Sequence, residues 1–165
     1  MRALRPGGGS PPDPLPAGTL ETLIAAAQSA ATSSNLQTWS VVAVSDPATR
    51  AEFATIANNQ KHITECPLFL AFCADISRNE RMGAEQATKL EALPYVETFL
   101  VAAIDAALAA QNAVVAAESL GLSTLYIGAM RNNVERVAKL LDLPPRVVCV
   151  FGLCVGYAKP GSESA

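Results

Sequence analysis

The sequence predicts an α+β fold, a sheet with helices packed around one long central helix. Three observations predict it. Short β-branched, apolar runs alternate with segments of helical period. One apolar segment, Val96 to Leu120, is far longer than the rest. Glycine, proline and asparagine punctuate the joins. At 165 residues the chain is long enough for one core and too short for two ordinary domains.

Residues 1–18 form a Pro/Gly-rich arm, with Pro6, Pro11, Pro12, Pro14 and Pro16 and no apolar period. A helix begins at Thr19, a capping-type residue, with Glu21 in its first turn and Leu20, Leu23, Ile24 and Ala27 at helical spacing, and fades near Ala31. Trp39 to Ser45 is a β-branched strand. Asp46-Pro47 then supplies an N-cap and a first-turn proline for a helix to about Ala57. After the polar loop Asn58 to Lys61 comes a second strand, Leu68 to Ala74, ended by Asp75. Arg78 to Pro94 carries only a weak helical period. The central helix, Val96 to Leu120, is apolar on nearly all sides, stops at Gly121 and must be enclosed by protein. Leu122 to Ile127 is a third strand broken by Gly128. Asn132 or Asn133 caps a helix from Val134 to Leu141, closed by Pro144 and Pro145, and Arg146 to Val155 is a fourth strand.

Composition narrows the function. The net charge of −3, with no Lys/Arg run, offers no surface for nucleic acid. Asp105, Gln111, Asn112 and Glu118 interrupt the long apolar segment, so a buried helix is expected there and not a membrane span. The N-terminus carries no apolar signal core, which points to the cytoplasm. Cys66, Cys73, Cys149 and Cys154 lie in apolar runs without CxxC spacing, and His62 is the single histidine. Buried reduced thiols are expected, and no metal site. Charged residues make up 16% of the chain, below the ~25% usual for a soluble domain, as a subunit interface explains.

No hydrolytic triad can be assembled around one histidine, so in an enzyme of this sequence a cofactor carries the reaction. Three polar turns are candidate contacts. Ser33-Ser34-Asn35-Leu36-Gln37-Thr38-Trp39 leads into the first strand with hydroxyls and amides that suit the edge of a planar polar ring. Asn59-Gln60-Lys61-His62 presents an amide that both donates and accepts. Tyr126-Ile127-Gly128-Ala129 ends a strand in a glycine whose missing side chain opens the backbone N–H groups to a ligand. Taken singly, the first two read first as a helix-ending turn and a solvated loop, and the third equally well as an ordinary strand-ending glycine.

Taken in order, they resemble the oxygen-insensitive, FMN-dependent nitroreductase family, in its NADPH-linked nitro and flavin reductase branch. The resemblance runs from about Thr19 to Gly156. It is carried by Asn35, Gln37 and Trp39 (N-x-Q-x-W), Gln60 to His62 (QKH), Ala110 to Leu122 (AQNAVVAAESLGL), Tyr126 to Asn133 (YIGAMRNN), Leu140 to Pro144 (LLDLP) and Phe151 to Gly156 (FGLCVG). It implies a nitroreductase-like domain over residues 19–157, a short tail over 158–165, and a homodimer with FMN at the subunit interface. It further implies ping-pong hydride transfer from NADPH or NADH to a nitro, quinone or flavin acceptor. No side chain is then catalytic in the strict sense, because the flavin carries the chemistry. Ser33, Ser34 and Asn35 are implied near the flavin ring, Gln60 at its polar edge, and the Tyr126, Ile127, Gly128 and Ala129 backbone where hydride arrives. Arg2 and Arg5 stand in the family's N-terminal phosphate-binding element, with Ala3 where the family has serine, and Lys159-Pro160-Gly161 stands where it has Lys-Pro-Arg. The altered N-terminal element and apparently shortened C-terminus leave an alternative, a catalytically silent dimerisation protein with weak or no FMN binding.

Overall fold

The computed structural model describes residues 13–158. Its elements are α1 (Thr19–Gln28), β1 (Trp39–Ala43), α2 (Pro47–Ile56), α3 (His62–Glu65), β2 (Leu68–Asp75), α4 (Ser77–Glu85), α5 (Val96–Ser119), β3 (Ser123–Ile127), α6 (Val134–Leu140) and β4 (Val147–Gly156). The strands form one sheet in the order β1-β2-β4-β3, with every neighbouring pair antiparallel.

Both faces of the sheet are covered, and β2 shows why. Leu70 and Phe72 point into a core with Leu23 and Ala27 of α1 and Ala106, Ala109, Ala110 and Ala113 of α5. Phe69, Ala71 and Cys73 point the other way, onto Phe53 of α2, Ile63 of α3 and Val137 of α6. A strand buried on both faces needs apolar residues at every position, which is why it appears in the sequence as one uninterrupted run. In β4 the register with β2 shifts between Phe72↔Phe151 and Cys73↔Cys149, so Val150 is an extra residue and forms a bulge. Gly152 has to be glycine for a packing reason: a Cβ there would lie 2.3 Å from Cζ of Phe69.

The central helix departs from its expected enclosure. Its inward face is built of Ala102, Ala106, Ala109, Ala110, Ala113 and Ala117, all fully buried, so the helix lies close on the sheet. The large residues point outward instead: Leu100, Ile104, Leu108 and Val115 are 49%, 49%, 46% and 57% exposed. The helix is long and apolar enough to cross a membrane by length and composition. It nonetheless lies along the sheet and α1, where Asn112 Nδ2 donates to Ala26 O and Ser29 Oγ, each at 3.3 Å.

Several boundaries differ from expectation. Helix α1 starts at Thr19, but Gly18, at φ +82°, is its N-cap, and the Thr19 hydroxyl donates to Pro16 O at 2.7 Å. It stops at Gln28, three residues early, with the Ser29 and Ala30 N–H groups closing its last turn. The loosely patterned Arg78 to Pro94 segment contains α4, and one further helical turn, α3, follows the Asn58 to Lys61 loop. The Asp46 cap is present as expected, accepting from Thr49 N at 2.7 Å, and Asn133 caps α6 by accepting from Arg136 N at 3.0 Å.

Candidate functional site

The turn before β1 holds Ser33, Ser34 and Asn35 on its exposed surface. Its backbone is strained: Ser34, Asn35 and Gln37 have φ of +49°, +53° and +52°, a region that L-residues with side chains occupy at a cost of order 1–3 kcal/mol each. Such a turn persists only where its surroundings over-determine it. From one side, Asp105 of α5 accepts from Ser33 N at 3.1 Å with Oδ1, and from Thr38 N at 3.1 Å and the Thr38 hydroxyl at 2.8 Å with Oδ2. From the other, α4 donates: Arg78 Nη2 to Gln37 O and, at 3.3 Å, to Trp39 O, and Asn79 Nδ2 to Leu36 O at 3.3 Å. Gln37 Nε2 donates to Asn35 Oδ1 at 3.3 Å, so these two amides brace each other.

Asp105 is fully buried. It neither faces solvent nor waits for a subunit partner, the two alternatives its place in an apolar helix suggests. It is satisfied within the chain, by the turn. The available signal was the cost of an ionisable group in a buried helix, which demands hydrogen-bond donors from somewhere.

Gln60 is half-buried in the loop between α2 and α3. The chain there is fastened from below by Arg50 of α2, which donates through Nε to Ile63 O at 2.8 Å and through Nη2 to Cys66 O and, at 2.9 Å, to Cys66 Sγ. Cys154 Sγ donates to His62 O at 3.5 Å. The His62 Nδ1 atom is buried and has no hydrogen-bond partner among the described residues. All four cysteines are buried free thiols. The neighbouring Cys154 thiol, then the Arg50 guanidinium, hold the Cys66 thiol below its ordinary range against the opposing effect of burial, while the proximity of Cys66 and burial push Cys154 up. No group of three His, Cys, Asp or Glu residues among the described residues is placed to hold a metal ion.

At the end of β3, Tyr126 and Ile127 point to opposite faces. Tyr126 packs edge-on against Phe151, with ring centroids 5.2 Å apart, and lines a cleft of about 520 Å³ with Val114, Glu118 and Thr124; burial pushes its hydroxyl pKa up. Ile127 is buried in the α2/α6 core. Gly128 opens a 3₁₀ turn, Gly128–Asn133, and the space its missing side chain leaves is taken by Arg131: a Cβ at 128 would lie 3.2 Å from Arg131 Nη2. The glycine therefore accommodates a neighbouring cation, which sequence reasoning did not single out. Arg131 is exposed and its Nη1 donates to Val150 O at 2.6 Å.

The Gln60 loop and the Gly128 turn share one side of the sheet. Asn132 Nδ2 donates to Ile56 O at 3.1 Å, and Cys154, bonded to His62, is the register partner of Leu125. The Ser33 to Thr38 turn is on the other side, fastened to α5 and leading into the opposite edge strand. Three strand spacings, about 14 Å, separate those edges. Within one chain, then, two of the three turns lie together and the third lies apart. Arg2, Arg5 and Lys159 fall outside the described residues.

An antiparallel sheet clad by helices on both faces, with uncharged amides and hydroxyls on strained or glycine-containing turns and an apolar helix face half exposed, places the chain among α+β proteins. The chain belongs to the nitroreductase family, whose sequence model matches residues 11–157. It is 42% identical over 144 residues to the FMN reductase (NADPH) of Bacillus subtilis (strain 168), covering 87% of this chain and 58% of that protein. It is 41% identical over 137 residues to the oxygen-insensitive NADPH nitroreductase of Salmonella typhimurium, covering 83% of this chain and 55% of that protein. The fold matches that of the NfrA1 nitroreductase of B. subtilis with a TM-score of 0.92 at 38% identity, over 100% of this chain and 66% of that one. The NADPH:FMN oxidoreductase of Vibrio harveyi complexed with NAD+ matches with a TM-score of 0.87 at 33% identity, over 100% and 68%. The chain thus spans less than two thirds of the length of these two curated relatives.

Proposed function

We propose that two copies of the chain associate through the outward face of α5 and bind FMN between them, to reduce a nitroaromatic, quinone or flavin acceptor at the expense of NADPH or NADH. One observation carries the reading: a single family match runs through all three polar turns, in a chain whose α5 leaves Leu100, Ile104, Leu108 and Val115 bare. In such a dimer each site takes the Ser33 to Asn35 turn from one copy and the Gln60 and Gly128 turns from the other. Separation of those turns within one chain is then what an interfacial site requires.

The residues fit the group. FMN presents a planar ring with a polar edge of both donors and acceptors, and the site offers side chains that do both. Ser33 and Ser34 supply hydroxyls, Asn35 and Gln60 supply amides, and the orphaned, buried His62 Nδ1 supplies an unused nitrogen. Bound FMN supplies the capacity to accept and release a hydride. The protein's share is to bind and orient. Gln60 fixes the ring edge, and the Tyr126 to Ala129 backbone and the Arg131 guanidinium supply donors and positive charge. Arg2, Arg5 and Lys159 are proposed to hold the phosphate by charge-assisted hydrogen bonds. The four reduced thiols support a cytoplasmic setting, and the domain is proposed to occupy residues 19–157, between the arm and the tail.

The test is direct. The chain purified with added FMN is expected to show flavin absorption bands and to oxidise NAD(P)H in the presence of a quinone or a nitrofuran. A dimer with neither property would overturn the enzymatic reading.

A further inference from the structure

Asp105 is the one fully buried ionisable carboxylate on α5, and both of its oxygens are spent on a single exposed turn: Oδ1 on Ser33 N, Oδ2 on Thr38 N and the Thr38 hydroxyl. Two of these donors bracket Ser34, Asn35 and Gln37, the three residues held at positive φ. No ion pair with a lysine or arginine compensates the carboxylate among the described residues; the turn's own N–H groups do so. The contact is therefore reciprocal. A buried carboxylate needs those donors, and a strained turn needs that acceptor. The groups left facing outward by this arrangement are the Ser33 and Ser34 side chains and the Asn35 amide.

We propose that Asp105 is a positioning residue of the site: it sets the backbone of the Ser33 to Thr38 turn, and so the direction in which Ser33, Ser34 and Asn35 address the flavin. This rests on the FMN reading above. Asp105 itself lies beneath the turn and acts through it.

The experiment compares wild type with Asp105→Asn and Thr38→Val. It measures amide hydrogen exchange in the FMN-free protein, FMN affinity by fluorescence quenching, and the visible circular dichroism of bound flavin. Asp105→Asn keeps one oxygen acceptor and loses the other. It is expected to speed exchange at Ser33 and Thr38 by about tenfold or more while leaving Cys73 and Ala74 in β2 protected. It is also expected to weaken FMN by about tenfold or more and to alter the dichroism of whatever flavin remains bound. Thr38→Val removes the hydroxyl alone and is expected to move the same readouts in the same direction by a smaller factor; it carries the test by itself if Asp105→Asn does not fold. Unchanged exchange at Ser33 and Thr38 overturns the anchoring. Faster exchange with unchanged FMN affinity and dichroism overturns the positioning role and leaves the flavin reading standing. A wild-type chain that takes up no FMN overturns the flavin reading, and the ligand half of this proposal with it.

Discussion

At the scale of single residues, carboxylates do local structural work in two different ways. Asp46 is an exposed cap: its Oδ2 accepts from the Thr49 hydroxyl at 2.6 Å and from Thr49 N at 2.7 Å. The hydroxyl bond first and the N–H bond second hold its carboxyl below the usual range. A carboxyl depressed by folding stabilises the native state at pH above its unfolded value, and that contribution disappears as pH falls through the folded one. The difference in melting temperature between wild type and Asp46→Ala is therefore expected to be largest near neutral pH and to shrink on acidification below the ordinary aspartate value. A gap that stays constant with pH would contradict a charged cap. This cap was legible in the sequence because Asp-Pro at the head of an amphipathic run has one local meaning. Asp105 was not, because its partners Ser33 and Thr38 lie 72 and 67 positions away in the chain. Nor was the place of Arg131 beside Gly128, which depends on how the 3₁₀ turn folds back.

At the scale of elements, what was legible follows from periodicity. All four strands were readable because each is a short apolar or β-branched run between breaks, and the long helix because no glycine or proline falls within it. The single turn of α3 is too short to establish a period, and α4 buries only Ser77 and Gly83, so neither presents an apolar stripe. Packing between strands was equally hidden. Phe69 of β2 lies across Gly152 of β4, and Gly152→Ala places a Cβ 2.3 Å from its ring. This substitution is expected to destabilise the fold by about 1–3 kcal/mol in chemical denaturation. The added Phe69→Leu change should recover part of that loss relative to its own effect in the wild-type background. A strictly additive double mutant would show that the collision is not the cause.

At the scale of the whole molecule, α5 inverts the usual helix. Alanines face the sheet and Leu100, Ile104, Leu108 and Val115 face outward, an arrangement that buries its apolar surface only when something covers it. Because Ile104 and Leu108 are about half exposed in the single chain, Ile104→Glu with Leu108→Glu should leave the fold intact by circular dichroism while converting the proposed dimer to monomer in light scattering. A dimer that survives this pair of charges would exclude the α5 face as the interface. The low charge content was an early sign of such a surface, but which helix face carried it required the structure.

If one flavin site is shared between two chains, as proposed, subunit mixing will reveal it. An Asn35 variant and a Gln60 variant that each fail to bind FMN alone are unfolded, mixed in equal amounts and refolded. If each site draws its Ser33 to Asn35 turn from one copy and Gln60 from the other, every mixed dimer contains one wholly wild-type site. FMN binding should then return to roughly a quarter of all sites. If both residues serve the same site from the same chain, no mixture contains an intact site, and binding that stays absent would rule out a site shared between two chains.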